Sequence, residues 1–412
     1  MKSDLPVLMR ERGLDALVVF GPDGAGRANA PFTYFVGTAH VTSGLVVVRQ
    51  DGATFLVHSS MERDEAAKTG LQLVDRARYD YPELLRANNG DRLRADAALL
   101  QHILTDLGVA GRVAFYGLEQ VNRALPLLRA LEATGGCEVV LEYEQDIITK
   151  ARATKDAYEI EQIRHTCRLT EQVMAETRAF LRSHRVFDRV LVQADGSPLT
   201  VGHVKQFVRR EAAALGLELD DFIFAIGRDA GVPHSVGDPV APVEIGKPIV
   251  FDLYPSGANG YHADLTRTWC LGEAPSHIVE AHALVLKALS LAESRFNADE
   301  MTYAFNEAVC ELFESHGFPT LRQDAQTRRG YVHSLGHGFG LAVHESPAMS
   351  LKGWRPDEKL APGSVFCAEP GLYDPDDARG GWGVRVEDDY YLDEAGRLCR
   401  LTTLERDLVV PL

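Results

Sequence analysis

The stretch from residue 333 to 347, HSLGHGFGLAVHESP, sets His333, His337 and His344 on a backbone that also carries Gly336, Gly338 and Gly340. In a helix each glycine would cost about 1 kcal/mol relative to alanine, so the stretch reads as loop and strand. Glycines this dense let the backbone approach a neighbour closely. A lone histidine is more often a structural residue than a ligand, but three in such a segment point to a site that still needs partners.

The partners are acids in strand-like settings, where charge is costly unless paired or bound to a cation. In PIVFDLYPSGANGYHADLTRTW the apolar approach runs up to Asp252, and the turn PSGANG returns the chain so that Asp264 shares its hairpin. In APGSVFCAEPGLYD the run SVFCA carries Glu369 inward before Pro370 and Gly371 end the strand. GWGVRVEDDYYL alternates, so Arg385 and Glu387 share a face. Each acid taken alone reads better as a hairpin tip, a cap or a solvated side chain. Four carboxylates in one pocket would protonate in part unless cations neutralised them, and two divalent ions balance that charge. An oxygen-rich set with one imidazole and no thiolate suits Mn²⁺, with Co²⁺, Zn²⁺, Fe²⁺ or Mg²⁺ as alternatives.

Composition narrows the class. A chain of 412 residues exceeds one ordinary core and predicts two domains. Lys and Arg total 43 against 59 Asp and Glu, a net charge of -16, which argues against nucleic acid and anionic membranes as partners. The six cysteines form no C-x-x-C pair, so neither a disulfide framework nor a thiolate zinc site is expected. The first residues mix charge with only a short apolar run, ALVVF, and predict a cytoplasmic protein without a membrane span.

The first third alternates helix-like and strand-like segments, with an Asp-Gly hairpin turn in GLVVVRQDGATFLVHSS, and predicts an α/β domain with its own sheet. CEVVLEYEQDIIT reads as a strand before a long charged helix in which Ile160, Ile163, Cys167 and Leu169 recur at helical spacing. The domain junction is expected near Lys150. Helices are expected after Thr200, from about His277 to Ser294 and from about Thr302 to His316, with strands and loops beyond Leu321. The fold class is therefore α+β.

The order Asp, Asp, His, Glu, Glu within DLYPSGANGYHADLTRT, GHGFGLAVHE, EPGLY and GVRVED resembles the pita-bread metallopeptidases: aminopeptidase P, prolidase and methionine aminopeptidase. The resemblance implies a creatinase-like α/β domain over residues 1–150 and a pita-bread catalytic domain over 151–412. Position by position, it implies that Asp252 chelates one metal, that His337 and Glu369 hold the other, and that Asp264 and Glu387 bridge both. His234 and His344 match residues that meet the substrate carbonyl and the tetrahedral intermediate, His333 flanks the leaving side, Arg385 pairs with the carboxylates, and Tyr373 matches the tyrosine of EPGLY. Asp252 and Asp264 stand twelve apart, one more than the family hairpin, so the wall near Tyr254 and Pro255 is expected to be reshaped.

The implied activity is hydrolysis of the bond between a first residue and proline in short peptides, by hydroxide shared between two ions, in a homodimer. Glu369 is the expected proton carrier, with His234 and His344 donating to the oxyanion and Arg385 orienting carboxylate. An Xaa-Pro nitrogen bears no hydrogen, so its recognition needs a dedicated pocket. A methionine aminopeptidase-like enzyme, another metal-dependent hydrolase or lyase on this fold, and a non-catalytic binding module are the rival readings.

Overall fold

The structure, a computed structural model, describes residues 1–22, 29–143 and 146–412. By their contacts they divide into two compact units, Met1–Arg152 and Ala153–Leu412.

In the first unit the strands Ala16–Phe20 (β1), Gly44–Arg49 (β2), Thr54–His58 (β3), Gln72–Asp75 (β4), Gly111–Gly117 (β5) and Cys137–Val140 (β6) form one sheet, ordered β4-β3-β2-β1-β5-β6. ALVVF supplies β1 as a continuous apolar run because it lies inside the sheet and is covered on both faces, as its buried Ala16 to Val19 show. The Asp-Gly turn joins β2 to β3 in antiparallel register, with Val48 opposite Thr54 and Gly52 at a φ of 90°. Leu100, Ile103, Leu104, Leu128 and Leu131, from two covering helices, pack with Val18, Val47 and Val113.

One expected strand ends early. In CEVVLEYEQDIIT, pairing stops at Val140, and Ile147–Arg152 is a helix with Ile147, Ile148 and Ala151 buried. Asp146 decides this: its carboxylate accepts from Thr149 N at 2.9 Å, satisfying a donor that a first helical turn leaves free. Residues 144 and 145 of that stretch lie outside the described residues.

The second unit begins with the helix Ala157–Arg182, started by a reciprocal capping box: Glu159 N donates to Asp156 at 2.9 Å and Asp156 N to Glu159 at 3.0 Å. Ile163 and Cys167 are fully buried on its inner face. Strands Ile223–Ile226 (β7), Pro248–Leu253 (β8) and Leu265–Leu271 (β9) form a sheet in that order, extended by Val409–Val410. Gly336–Gly338 (β10), Glu345–Met349 (β11), Val365–Ala368 (β12), Gly371–Asp374 (β13), Trp382–Arg385 (β14), Asp388–Leu392 (β15) and Leu398–Arg400 (β16) follow along the chain. A second sheet runs β11-β10-β12-β15-β16, while β13 pairs with β14.

Each sheet buries one face in its own core. Ile249, Phe251 and Leu253 of β8 join Val204, Val208 and Phe224. Phe366 and Ala368 of β12 join Val285, Leu289 and Phe305 from the helices Ser276–Glu293 and Thr302–Ser315. Because side chains alternate along a strand, Asp252 of β8 and Cys367 of β12, with Glu369 just beyond, point to the opposite faces. Those faces form the site. Among the described residues no helix is long and apolar enough to cross a membrane.

Candidate active site

β8 and β9 are antiparallel with Asp252 opposite Thr266, so Asp252 and, two residues before Thr266, Asp264 lie on one face. Carboxylate oxygens of Asp252, Asp264 and Glu387 all fall within 4.8 Å of one another. The added hairpin residue leaves both acids pointing inward. Beyond β8, Tyr254 O meets His262 Nδ1 at 3.3 Å and His262 N donates to Gly340 O at 2.7 Å.

The opening stretch now has its explanation. A Cβ on Gly336 would sit 2.1 Å from Cys367 O, and one on Gly338 2.2 Å from Ser346 O, so only glycine lets β10 fit between β12 and β11. That close fit delivers His337. Its Nδ1 lies 3.2 Å from Gly338 O and carries the hydrogen, which leaves the Nε2 lone pair facing Asp264 Oδ2 and Glu369 Oε1, each at 3.7 Å. Burial, and then the neighbouring His344, lower the His337 pKa to about 4, keeping the ring neutral.

Arg385 ties the acids together. Its Nη2 donates to Asp252 Oδ2, its Nε to Thr266 Oγ1 at 3.2 Å, and its Nη1 to Tyr373 Oη at 3.0 Å and to Pro233 O at 3.3 Å. Thr266 in turn donates to Glu387 Oε2 at 2.7 Å. Thr268 Oγ1 accepts from Arg385 N at 2.9 Å and donates to Arg385 O at 2.8 Å, stitching β9 to β14. Arg267, by contrast, is a buried clamp saturated by Asp388 and four backbone carbonyls.

The histidines take separate places. His333 Nδ1 lies 2.8 Å from Ser334 O and its Nε2 2.8 Å from Tyr373 Oη, so both nitrogens are engaged and its influence on the site runs through Tyr373. Burial and Arg385 lower its pKa to about 3. His344 sets its ring 4.3 Å from that of His337, tilted by 55°, and is exposed, its pKa lowered by desolvation and by His234. His234 is exposed on the turn whose Pro233 carbonyl Arg385 holds.

The donor set fits a divalent cation. Burial and then Glu387 raise Asp264 well above the usual carboxyl range, burial and then Glu387 raise Glu369 likewise, and burial and then Asp252 raise Glu387 to about 7. Cations are what would hold all of these ionised. Asp252 Oδ1 is buried with no hydrogen-bond partner, as an oxygen reserved for an ion would be. The sequence predicts a ligand set without sulfur, and a sulfur stands beside it. Cys367 Sγ lies 3.6 Å from His337 Nε2 and groups with Asp264 and His337, and again with Glu369 and Glu387, within 4.8 Å. Its place two residues before Glu369 is the available signal, as is the T-x-T spacing that follows Asp264 for Thr266 and Thr268.

Residues 161–394 match the profile of metallopeptidase family M24, and residues 3–134 match the creatinase/prolidase N-terminal domain. The chain is 27% identical over 383 residues to an Xaa-Pro dipeptidase of Pyrococcus furiosus, covering 91% of this chain and 92% of that protein. It is 25% identical over 291 residues to a probable dipeptidase, PepE, of Mycobacterium tuberculosis, covering 71% and 70% of the two chains. Its fold is similar to that of an X-Pro aminopeptidase from Thermotoga maritima, with a TM-score of 0.73 at 24% identity over 98% of this chain and 99% of that one. A dipeptidase from Pyrococcus horikoshii superposes with a TM-score of 0.76 at 21% identity over the whole of both chains. With more than half of its residues matching the family profile around a cage of acids and one imidazole, the chain belongs to metallopeptidase family M24.

Proposed function

We propose that the protein hydrolyses the bond between a first residue and proline in short peptides, using two divalent ions, with Mn²⁺ the first choice. The reading takes residues 151–412 as the catalytic domain and 1–150 as a creatinase-like domain, in a cytoplasmic homodimer. Asp252 would hold one ion, His337 and Glu369 the other, and Asp264 and Glu387 both. The carrying observation is the convergence of these five side chains, with His337 Nε2 3.7 Å from both Asp264 and Glu369. The relatives named Xaa-Pro dipeptidase and X-Pro aminopeptidase support the choice of bond.

When bound, such ions acidify a water and polarise a carbonyl. The chain's own groups do the rest. Glu369, whose carboxyl burial and Glu387 hold high, takes a proton from the attacking water and passes it to the proline nitrogen as the amide breaks. His344, exposed and neutral, and His234 beside it donate hydrogen bonds to the carbonyl oxygen as charge develops there. Arg385 holds Asp252 in place and, through Tyr373, fixes the wall opposite. His333 accepts from Tyr373 and so settles which way that hydroxyl points.

The test is hydrolysis of Xaa-Pro dipeptides, Xaa-Pro tripeptides and Met-Ala peptides with Mn²⁺ present. Release of the residue before proline supports the proposal, and the ratio of dipeptide to tripeptide turnover tells dipeptidase from aminopeptidase. Release of Met from Met-Ala with no action on Xaa-Pro bonds would overturn it.

A further inference from the structure

We propose that Cys367 is a metal-ligating thiolate, giving the His337 end of the cage a position for a thiophilic divalent ion such as Co²⁺, Zn²⁺ or Cd²⁺. The inference rests on the metallopeptidase reading and adds a sixth donor to it.

Strand alternation sets the direction of the side chain. Phe366 and Ala368 enter the helix-covered core, so Cys367 projects from the other face of β12, the one Glu369 continues. Its sulfur is fully buried there, 3.6 Å from His337 Nε2. The remaining donors at that end, Asp264 Oδ2 and Glu369 Oε1, each stand 3.7 Å from the same nitrogen. These separations have a meaning. An ion bonded to sulfur at about 2.3 Å and to nitrogen at about 2.0–2.1 Å, with a tetrahedral angle between the bonds, sets those two atoms about 3.5–3.6 Å apart. Asp264, His337 and Cys367 offer an oxygen, a nitrogen and a sulfur within 4.8 Å of one another, three of the four donors that a tetrahedral ion takes.

The two ends of the cage then differ in kind. Asp252, Asp264 and Glu387 offer only oxygen and suit a hard ion such as Mn²⁺, whereas the His337 end adds sulfur and shifts the preference towards softer ions. The buried, unpartnered Asp252 Oδ1 is an independent sign that the cage is built for cations. Binding at the sulfur exchanges its S–H bond for a bond to the ion and releases one proton to solvent, with no change of oxidation state. The other cysteines lie elsewhere: Cys137, Cys270 and Cys310 in apolar cores, Cys399 half-buried on β16, and Cys167 donating to Asp389 at 3.3 Å.

The test is to strip the full chain of metal, reload it with Co²⁺ and record its absorption. A near-ultraviolet sulfur-to-cobalt band in the wild type that disappears in Cys367→Ser and persists in Cys399→Ser is the expected result. By calorimetry, Cd²⁺ affinity should fall about 10- to 100-fold in Cys367→Ser, with Mn²⁺ affinity changing by less than about threefold. X-ray absorption of the Co²⁺-loaded wild type needs no variant: a sulfur neighbour at about 2.3 Å supports the proposal. Co²⁺ taken up without a sulfur neighbour overturns thiolate ligation and leaves the metallopeptidase reading standing. A chain that takes up no divalent ion at all overturns both.

Discussion

Lys155 Nζ lies 3.1 Å from Glu345 Oε2, with both side chains buried, and Glu345 is the residue after His344. Glu345 also accepts from Ala342 N at 2.9 Å, so the pair anchors the loop that presents His344. Removing one partner leaves the other charged and buried. Lys155→Met should cost about 3–5 kcal/mol in denaturant unfolding and lower kcat/KM, whereas adding Glu345→Leu should restore much of the stability but not the rate.

Metal binding and catalysis should separate by residue. Asp264→Ala and Glu387→Ala each remove an oxygen donor from the centre of the cage, and both should abolish activity and metal content together. His344→Ala should keep its metal by elemental analysis while kcat falls about 100-fold, the size typical of a lost oxyanion donor. Turnover retained in Asp264→Ala would contradict this assignment.

Tyr373 is the hinge of a buried chain, accepting from Arg385 and donating to His333. Tyr373→Phe strands His333 Nε2 and takes one acceptor from Arg385. It should cost about 1–3 kcal/mol in unfolding and reduce kcat more than it raises KM, because Arg385 keeps its contacts to Asp252 and Pro233.

His282 gives a pH signature away from the site. Burial, and then Arg267, lower its pKa to about 4, and its Nε2 has no hydrogen-bond partner. The unfolded chain binds this proton near pH 6.5, so the contribution to stability is whole above about 6.5, declines as pH falls and is gone below about 4. The full difference is about 3 kcal/mol. His282→Leu should flatten this part of the decline, seen as a smaller loss of unfolding free energy between pH 7 and pH 4.5.

Much of this site is legible in the sequence because its constraints are local. An apolar run ending in an acid, a turn rich in glycine and proline, and a second acid predict one hairpin face, and Asp252 and Asp264 occupy it. The glycines of GHGFG are legible as a demand for close approach, but what approaches, the carbonyls of Cys367 and Ser346, comes from strands remote in sequence. Cys367 is not legible in this way, because a cysteine outside a paired motif looks inert until the fold sets it against His337. The helix Ile147–Arg152 was hidden by an apolar run that suits a strand equally well, and a single capping carboxylate, Asp146, decides between them.

Arg267 reaches from the Asp264 strand to the carbonyls of Leu404 and Glu405, and Cys270 pairs with Val409 on the same strand. The hairpin bearing two of the acids is thus strapped down by residues 404–410, far along the chain from it. Whatever slackens that strap reaches the spacing of the two acids without touching either of them.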